Sequence, residues 1–156
     1  RAYTTASSPE KEKYCLELGA KKAINYKEKD LIEEFHPESM ELILDSLGGE
    51  YLGINLELLR PDGRLVYINA MEGGVPSLDI KKVMSKRLYI TGSTLRPRSC
   101  EFKKALAENI RQNAFSLLES PNFRSMVRYR FPMEKASEAH ALMDSRDFMG
   151  KIILTM

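Results

Sequence analysis

The stretch LILDSLGG, residues 42–49, joins an apolar run to an end made of small and polar residues. The run begins at Met40 and is typical of a β-strand. Asp45, Ser46 and two glycines follow it before a helical pattern resumes at Glu50. In open α/β sheets, ligands bind beyond the carboxyl ends of strands. The stretch therefore indicates either a ligand-binding strand end or an ordinary strand-to-helix turn.

Strand patterns and helical patterns alternate on both sides of this stretch. Strands are predicted at residues 1–6, 22–26, 40–45, 64–68, 88–91, 127–131 and 151–156. Helices are predicted between them, at residues 9–18, 30–35, 50–59, 80–85, 100–118 and 134–144. This alternation is typical of parallel βαβ units. The predicted fold class is therefore α/β, with a doubly wound parallel sheet.

Apolar periodicity also predicts which faces are buried. The strand at 40–45 is nearly all apolar, which predicts that both of its faces are covered. The helices at 9–18 and 100–118 are each predicted to bury one face. Those faces carry Tyr14, Cys15 and Leu18 in the first helix, and Phe102, Leu106, Ile110 and Leu117 in the second. Pro61, Asp62 and Gly63 predict a turn before the strand at 64–68.

The composition limits the classes of function. Hydrophobic residues make up 43% of the 156 residues and charged residues 29%, with a net charge of +2. This balance is typical of a globular domain, and no basic stripe indicates nucleic acid. Cys15 and Cys100 have neither metal nor redox spacing, so we expect no metal site and a reducing, cytoplasmic setting. The apolar runs are shorter than the ~20 residues of a membrane span, so we expect no membrane contact.

The end of the first strand carries TTASS, residues 4–8, with Lys11 one helical turn further on. In a dinucleotide-binding fold, a carboxylate here would bind the free 2′-hydroxyl of the ribose and repel a phosphate. Ser7, Ser8 and Lys11 do the reverse, which favours NADPH over NADH. The same residues also suit plain helix capping by serine, with Lys11 in solvent.

The glycine turn of a dinucleotide-binding fold, G-x-G-x-x-G, is missing from the sequence. Gly48, Gly49 and Gly53 lack its spacing. The chain thus starts one βα unit later than such a fold, and it starts with Arg1 rather than Met. We therefore expect it to be a fragment.

Four segments resemble one protein family in their order and spacing. They are TTASSPEKEKYCLELGAKKAINYKEKD at 4–30, LILDSLGGEYLGINLELLRPDGRLVYINAMEGG at 42–74, ITGSTLRPRS at 90–99 and AHALMDSRDFMGKIILTM at 139–156. Together they resemble the C-terminal half of a zinc-independent quinone oxidoreductase of the medium-chain dehydrogenase/reductase superfamily. The resemblance covers almost the whole chain.

The resemblance implies an NADPH-dependent reductase with a Rossmann domain and a chaperonin-10-like catalytic domain. We expect residues 1–156 to form a partial Rossmann domain that lacks its first βα unit, with a C-terminal segment that returns toward the catalytic domain. The missing strand would leave a gap in the middle of the sheet. Two unpaired strand edges would then make the isolated chain fold poorly or depend on another segment, and the chain alone would be inactive.

The resemblance also implies the contacts with NADPH. The 2′-phosphate would be bound by Ser7, Ser8, Lys11 and Tyr26. The nicotinamide and its ribose would lie near Ser46, Leu47, Asn69, Ala70, Met71, Thr94 and Leu95. Ser7 and Asn69 stand where the family usually has glycine. No catalytic acid or base is implied, because hydride transfer to a quinone or enone depends on contact geometry.

The resemblance finally implies a small-molecule quinone or enone as substrate and a homodimer. The strand at 88–91, from Leu88 to Thr91, would pair with its copy in a second subunit. Two alternatives stay open. One is an enoyl-thioester reductase of the same superfamily, and the other is a truncated, non-catalytic module that dimerises through the same strand.

Overall fold

The chain forms an α/β structure in a computed structural model, which describes residues 1–74, 77–120, 123, 126–145 and 148–156. The strands are β1 (Tyr3–Ala6), β2 (Lys22–Asn25), β3 (Met40–Asp45), β4 (Leu59–Tyr67), β5 (Tyr89–Gly92), β6 (Val127–Pro132) and β7 (Lys151–Thr155). The helices are α1 (Pro9–Glu17), α2 (Leu31–Phe35), α3 (Tyr51–Leu58), α4 (Ile80–Lys86), α5 (Cys100–Leu118) and α6 (Ala136–Ser145), with a 3₁₀ turn at Met133–Lys135. Within the described ranges, no helix combines the length and apolar content needed to cross a bilayer.

The chain divides into two compact units, Arg1–Leu106 and Ala107–Met156. In the first unit, β1 pairs with β2, while β3, β4 and β5 form a separate sheet with β4 in its centre. In the second unit, β6 pairs with β7. Each of these pairings is parallel. The predicted α/β class with parallel strands is therefore confirmed.

Helix α3 contributes to two apolar clusters in the first unit. One cluster consists of Ile24, Leu31, Phe35 and Leu58. The other consists of Leu52, Leu56, Leu59 and Leu65. Leu59 and Leu65 are completely buried, and burying one such side chain contributes about 2 kcal/mol. The clusters therefore fix α3 against its neighbours on two sides.

Strand β4 begins earlier than the sequence predicts, at Leu59. Met40 lies opposite Leu59 and Leu42 lies opposite Arg64, so residues 60–63 bulge out of the pairing. Asp62 has a φ of 62° in this bulge. The predicted turn thus exists, but it lies inside a strand that continues directly from α3.

A groove separates β1 from β3. These two strands do not pair with each other, and the space between them has a volume of about 850 Å³. Side chains from α2 and α3, including Phe35 and Leu58, line it as well. The groove agrees with the expectation that the sheet is interrupted.

Three expectations about burial are wrong. In β3, Leu42 and Leu44 are 59% and 64% exposed, so this strand is not covered on both faces. In α5 no residue is buried, including those of its apolar stripe. Leu18, which follows the last residue of α1, is 44% exposed, and Tyr14 and Cys15 within α1 are only half-buried. Periodicity predicts an apolar face correctly, but burial also needs a neighbouring element, and no described residue covers these faces fully.

Candidate functional site

The carboxyl ends of β3, β4 and β5 lie side by side. Asp45 is opposite Tyr67, and Tyr67 is opposite Gly92, in the register of the two parallel pairings. The loops that follow the three strands therefore leave from one edge of the sheet. This is the edge at which parallel α/β sheets bind ligands. The loops carry all the residues that the resemblance assigns to the nicotinamide side.

The loop after β3 is held by the carboxylate of Asp45. Its Oδ1 accepts hydrogen bonds from the backbone N–H groups of Leu47 and Gly48, at 2.6 and 3.2 Å. Its Oδ2 accepts one from Nδ2 of Asn55 in α3, at 2.8 Å. Asp45 and Asn55 are only 6% and 8% exposed. A buried carboxylate needs such partners, because leaving it without them is costly.

The loop after β4 docks on the loop after β3 through backbone hydrogen bonds. The N–H groups of Met71 and Glu72 donate to the carbonyl oxygens of Ser46 and Leu47, at 3.2 and 2.8 Å. In the opposite direction, the N–H of Gly49 donates to the carbonyl of Gly73 at 3.0 Å. The structure thus brings Ser46 and Leu47 together with Met71 and its neighbours.

Gly48 and Gly49 permit this close approach. Both have positive φ, and a Cβ on Gly48 would lie 2.8 Å from the carbonyl oxygen of Gly73. A Cβ on Gly49 would lie 2.9 Å from the carbonyl oxygen of Glu72. A side chain at either position would therefore separate the two loops.

A second cavity, of about 860 Å³, opens at the same edge. Asn69, Ala70 and Thr94 line it, so the structure brings these three predicted residues together. Ser46 and Leu47 line the groove between β1 and β3 instead. Met71 and Leu95 are 62% and 51% exposed. The loop after β3 thus lies between the two cavities and contributes to both.

The end of β1 forms a small polar cluster. Ser7 Oγ lies 3.4 Å from the Lys11 ammonium, and Ser8 Oγ accepts a hydrogen bond of 3.3 Å from the Lys11 N–H as the N-cap of α1. The helix-capping interpretation of Ser8 is confirmed. The Tyr26 N–H donates to the Ala6 carbonyl at 3.1 Å, and the Tyr26 ring packs edge-on against Tyr51, with 6.3 Å between the ring centres.

Two tyrosine hydroxyls near the carboxyl end of β3 remain neutral at physiological pH. Burial raises the pKa of Tyr67, and the negative charge of Asp45 adds to the effect. Burial also raises the pKa of Tyr51, followed by the influence of Tyr26, Glu72 and Asp45. The Tyr67 hydroxyl is buried and has no hydrogen-bond partner among the described residues. Within these residues there is also no group of three or more His, Cys, Asp or Glu placed to hold a metal ion.

Sequence reasoning missed the roles of Asp45 and Asn55. The sequence places Asp45 at the end of a strand, and no partner was predicted for its carboxylate. Two signals could have identified the pair. An Asp followed by small residues favours a side-chain hydrogen bond to the backbone two residues on. Asn55 lies between Ile54 and Leu56 in an apolar helix, and a polar residue at a buried position needs a partner.

Comparison with known proteins shows the family. A model of the family described as zinc-binding dehydrogenase matches residues 18–154. The chain belongs to this family. A quinone oxidoreductase of Pseudomonas aeruginosa is 27% identical, over an alignment that covers 96% of the chain and 47% of that protein. A 2-haloacrylate reductase of a Burkholderia species is 26% identical, over 96% of the chain and 46% of its own length.

A solved member of this group has the same fold. The quinone oxidoreductase of Thermus thermophilus, whose structures include a complex with NADPH, is 31% identical with a TM-score of 0.82. The match covers 100% of this chain and 50% of that one. The chain therefore spans about half the length of the relatives it matches. The resemblance to the C-terminal half of quinone oxidoreductases, with their Rossmann-like α/β class, is confirmed.

Proposed function

We propose that this chain is the NADPH-binding half of a zinc-independent oxidoreductase that transfers hydride to a quinone or an enone. The observation that carries the proposal is the meeting of the loops after β3 and β4 at the edge where β5 also ends. The NADPH complex of the Thermus thermophilus relative supports the cofactor. The names of the relatives, a quinone oxidoreductase and a haloacrylate reductase, support an electron-poor, conjugated substrate.

The cluster at the end of β1 fits the 2′-phosphate of NADPH. The Lys11 ammonium and the Ser7 hydroxyl are close enough to act on one phosphate, since they lie 3.4 Å apart. An ammonium group and a hydroxyl donate charge-assisted hydrogen bonds to a phosphate. The Ser8 hydroxyl, which caps α1, keeps the first turn of that helix in place. We assign Tyr26 to the wall of this pocket through its backbone position beside Ala6.

The docked loops fit the other end of the cofactor. Bound NADPH would supply the hydride. Ser46, Leu47, Asn69, Ala70 and Met71 would hold the nicotinamide and its ribose, and Thr94 with Leu95 would pass beside the ring. These residues act by binding and orienting rather than as acids or bases, because hydride transfer depends on contact geometry. We propose that residues 1–156 supply this half-site and that a further domain supplies the substrate side.

Fluorescence titration of NADPH with the purified chain tests the proposal. We expect a saturable change in NADPH fluorescence, and Lys11→Ala should weaken binding about tenfold through loss of a charged hydrogen-bond donor. NADH, which has no 2′-phosphate, should bind with equal affinity to both proteins. Lys13→Ala, an exposed lysine of the same helix, is the matched control and should leave NADPH binding unchanged. If the wild-type chain produces no fluorescence change and Lys11→Ala alters nothing, the cofactor assignment is wrong.

We further propose a homodimer in which β5 pairs with its copy. β5 is an edge strand of the three-stranded sheet, and Tyr89 on it is 56% exposed. An open edge strand presents unpaired backbone groups that favour pairing with another chain. Static light scattering at low micromolar concentration should therefore give twice the monomer mass. Gly92→Pro should reduce it to the monomer, because the Ser93 N–H bonds Tyr67 of β4 and the N–H of Gly92 therefore alternates to the open edge. A monomeric wild-type chain at micromolar concentration would contradict the proposal.

A further inference from the structure

Asp45 makes three hydrogen bonds that together join one strand end, one loop and one helix. Its carboxylate accepts from Leu47, Gly48 and Asn55, at 2.6, 3.2 and 2.8 Å. Its own carbonyl accepts from the N–H of Ile68, at 2.8 Å, at the end of β4. Such a carboxylate fixes the direction in which the backbone leaves β3.

The position of the second loop depends on the first. The N–H groups of Met71 and Glu72 donate to the carbonyl oxygens of residues 46 and 47. These hydrogen bonds position the loop after β4 against the loop after β3. Leu47 connects the two loops. Its N–H donates to the carboxylate of Asp45, and its carbonyl oxygen accepts from the N–H of Glu72.

We propose that Asp45 and Asn55 are a positioning pair for the ligand edge, and that they set the loop after β3 and, through it, the loop after β4. Asp45 contacts the backbone of the binding loop rather than the ligand. Asn55 holds the carboxylate from α3, which is itself fixed by the two apolar clusters. The consequence for NADPH rests on the proposed function, whereas the consequence for the loops does not.

The pair is separate from the other buried polar contact of α3. Lys86 donates to the carbonyl oxygens of Leu56, Glu57 and Leu59, at the opposite end of that helix. Among the described residues its partners are these carbonyl groups and the carboxylate of Glu38, and none of them belongs to the loops at the ligand edge. Lys86→Met is therefore a matched control that destabilises the same helix without releasing the loops.

Amide hydrogen exchange of the whole chain tests the positioning. In Asp45→Ala the N–H groups of Leu47, Gly48, Met71 and Glu72 should exchange at least about tenfold faster relative to those of core residues such as Ile24 and Leu65, because a hydrogen bond to a charged acceptor is lost. Asp45→Asn keeps an acceptor for the loop, and Asn55 can turn its amide to accept from the new Nδ2. The exchange rates of the loop amides in Asp45→Asn should therefore lie within about threefold of those in the wild type. Lys86→Met should accelerate exchange globally, with no preference for the loops.

Each outcome of this experiment has a definite meaning. The inference is overturned if the loop amides are unprotected in the wild type, if Asp45→Ala leaves their exchange unchanged, or if Asp45→Asn is as damaging as Asp45→Ala.

NADPH titration of the same variants tests the effect on ligand binding separately from the effect on the loops. About tenfold weaker binding in Asp45→Ala, restored in Asp45→Asn, supports the full proposal. Wild-type affinity in Asp45→Ala overturns its ligand part. Selective acceleration of loop exchange in Asp45→Ala, together with a wild-type chain that binds no NADPH, overturns the proposed function and leaves the positioning intact.

Discussion

Lys86 places its ammonium against the carboxyl end of α3. Its Nζ donates to the carbonyl oxygens of Leu56, Glu57 and Leu59, at 2.9, 3.0 and 2.9 Å, and the side chain is nearly buried. Lys86→Met keeps the apolar stem but removes the ammonium donor from these carbonyl groups, of which Glu57 also accepts from the N–H of Glu38. We expect the free energy of unfolding to fall by about 2 kcal/mol or more. Urea denaturation followed by circular dichroism measures this change.

Lys82 provides the control for Lys86, because it lies in the same helix and pairs with Glu57 at a more open position. Lys82→Met should cost less than about 1 kcal/mol, because this ion pair is still in contact with solvent. Equal losses in the two variants would show that burial of the Lys86 ammonium has no special effect.

Gly48 and Gly53 make a second comparison at the level of single residues. Gly48 has a φ of 69° and no room for a Cβ, whereas a Cβ on Gly53 meets no atom within 4 Å. Gly48→Ala should lower the free energy of unfolding by about 2 kcal/mol, through a left-handed backbone and a contact with the Gly73 carbonyl. Gly53→Ala lies inside α3 and should raise it by about 0.5 to 1 kcal/mol. Thermal unfolding of both variants measures the two opposite shifts, and shifts of the same sign would refute the explanation.

A bidentate ion pair between Arg87 and Asp62 joins two elements, the end of α4 and the bulge of β4. Arg87 Nε and Nη2 donate to the two carboxylate oxygens of Asp62, at 2.9 and 2.7 Å. This hydrogen bonding holds the pKa of Asp62 below its ordinary value of 3.8. Because the folded-state pKa is lowered, the contribution of the pair is present above pH 3.8 and is lost as the pH falls through the folded-state pKa.

Carboxyl NMR titration checks the direction of this shift. In Arg87→Gln the pKa of Asp62 should rise toward 3.8, the ordinary value. The effect on stability should be small, because both side chains are exposed to solvent. An Asp62 that titrates identically in both proteins would show that Arg87 is not the cause.

At the level of the whole molecule, the open groove makes the isolated chain prone to association. Leu42 and Leu44 of β3 are 59% and 64% exposed, and β3 does not pair with β1. Exposed apolar side chains on a strand with one open edge favour edge-to-edge association. We expect the wild-type chain to form species larger than a dimer at rising concentration. The double variant Leu42→Lys with Leu44→Lys should suppress them while it changes the free energy of unfolding by less than about 0.5 kcal/mol.

Leu65→Lys is the control for that variant, because Leu65 is completely buried. A lysine there should abolish folding, since an unpaired charge would enter the core. Light scattering and circular dichroism measure association and folding separately. A wild-type chain that stays a monodisperse dimer as the concentration rises would contradict the expectation of poor folding in isolation.

Local patterns predicted most of the fold and part of the site. The bounds of β3 and α5 are those predicted, because strand and helix periods are read within a few residues. Ser8 as the cap of α1 is a local contact of the same kind. The resemblance predicted that Ser46, Asn69 and Thr94 lie near one another on the nicotinamide side. Their contacts with the cofactor stay predictions.

The α/β class, the order of the elements and the polar strand ends follow from the sequence alone, because each depends on neighbouring residues. The contacts that each face makes depend on how the elements pack in three dimensions. Asp45 accepts a hydrogen bond from Asn55, ten residues further along the chain, and Lys86 donates one to Leu56, thirty residues earlier. Helical or strand periodicity cannot predict such partners. The same reason explains the exposed leucines of LILDSLGG. Their apolar character is a property of the strand, whereas their burial depends on a neighbour across the groove.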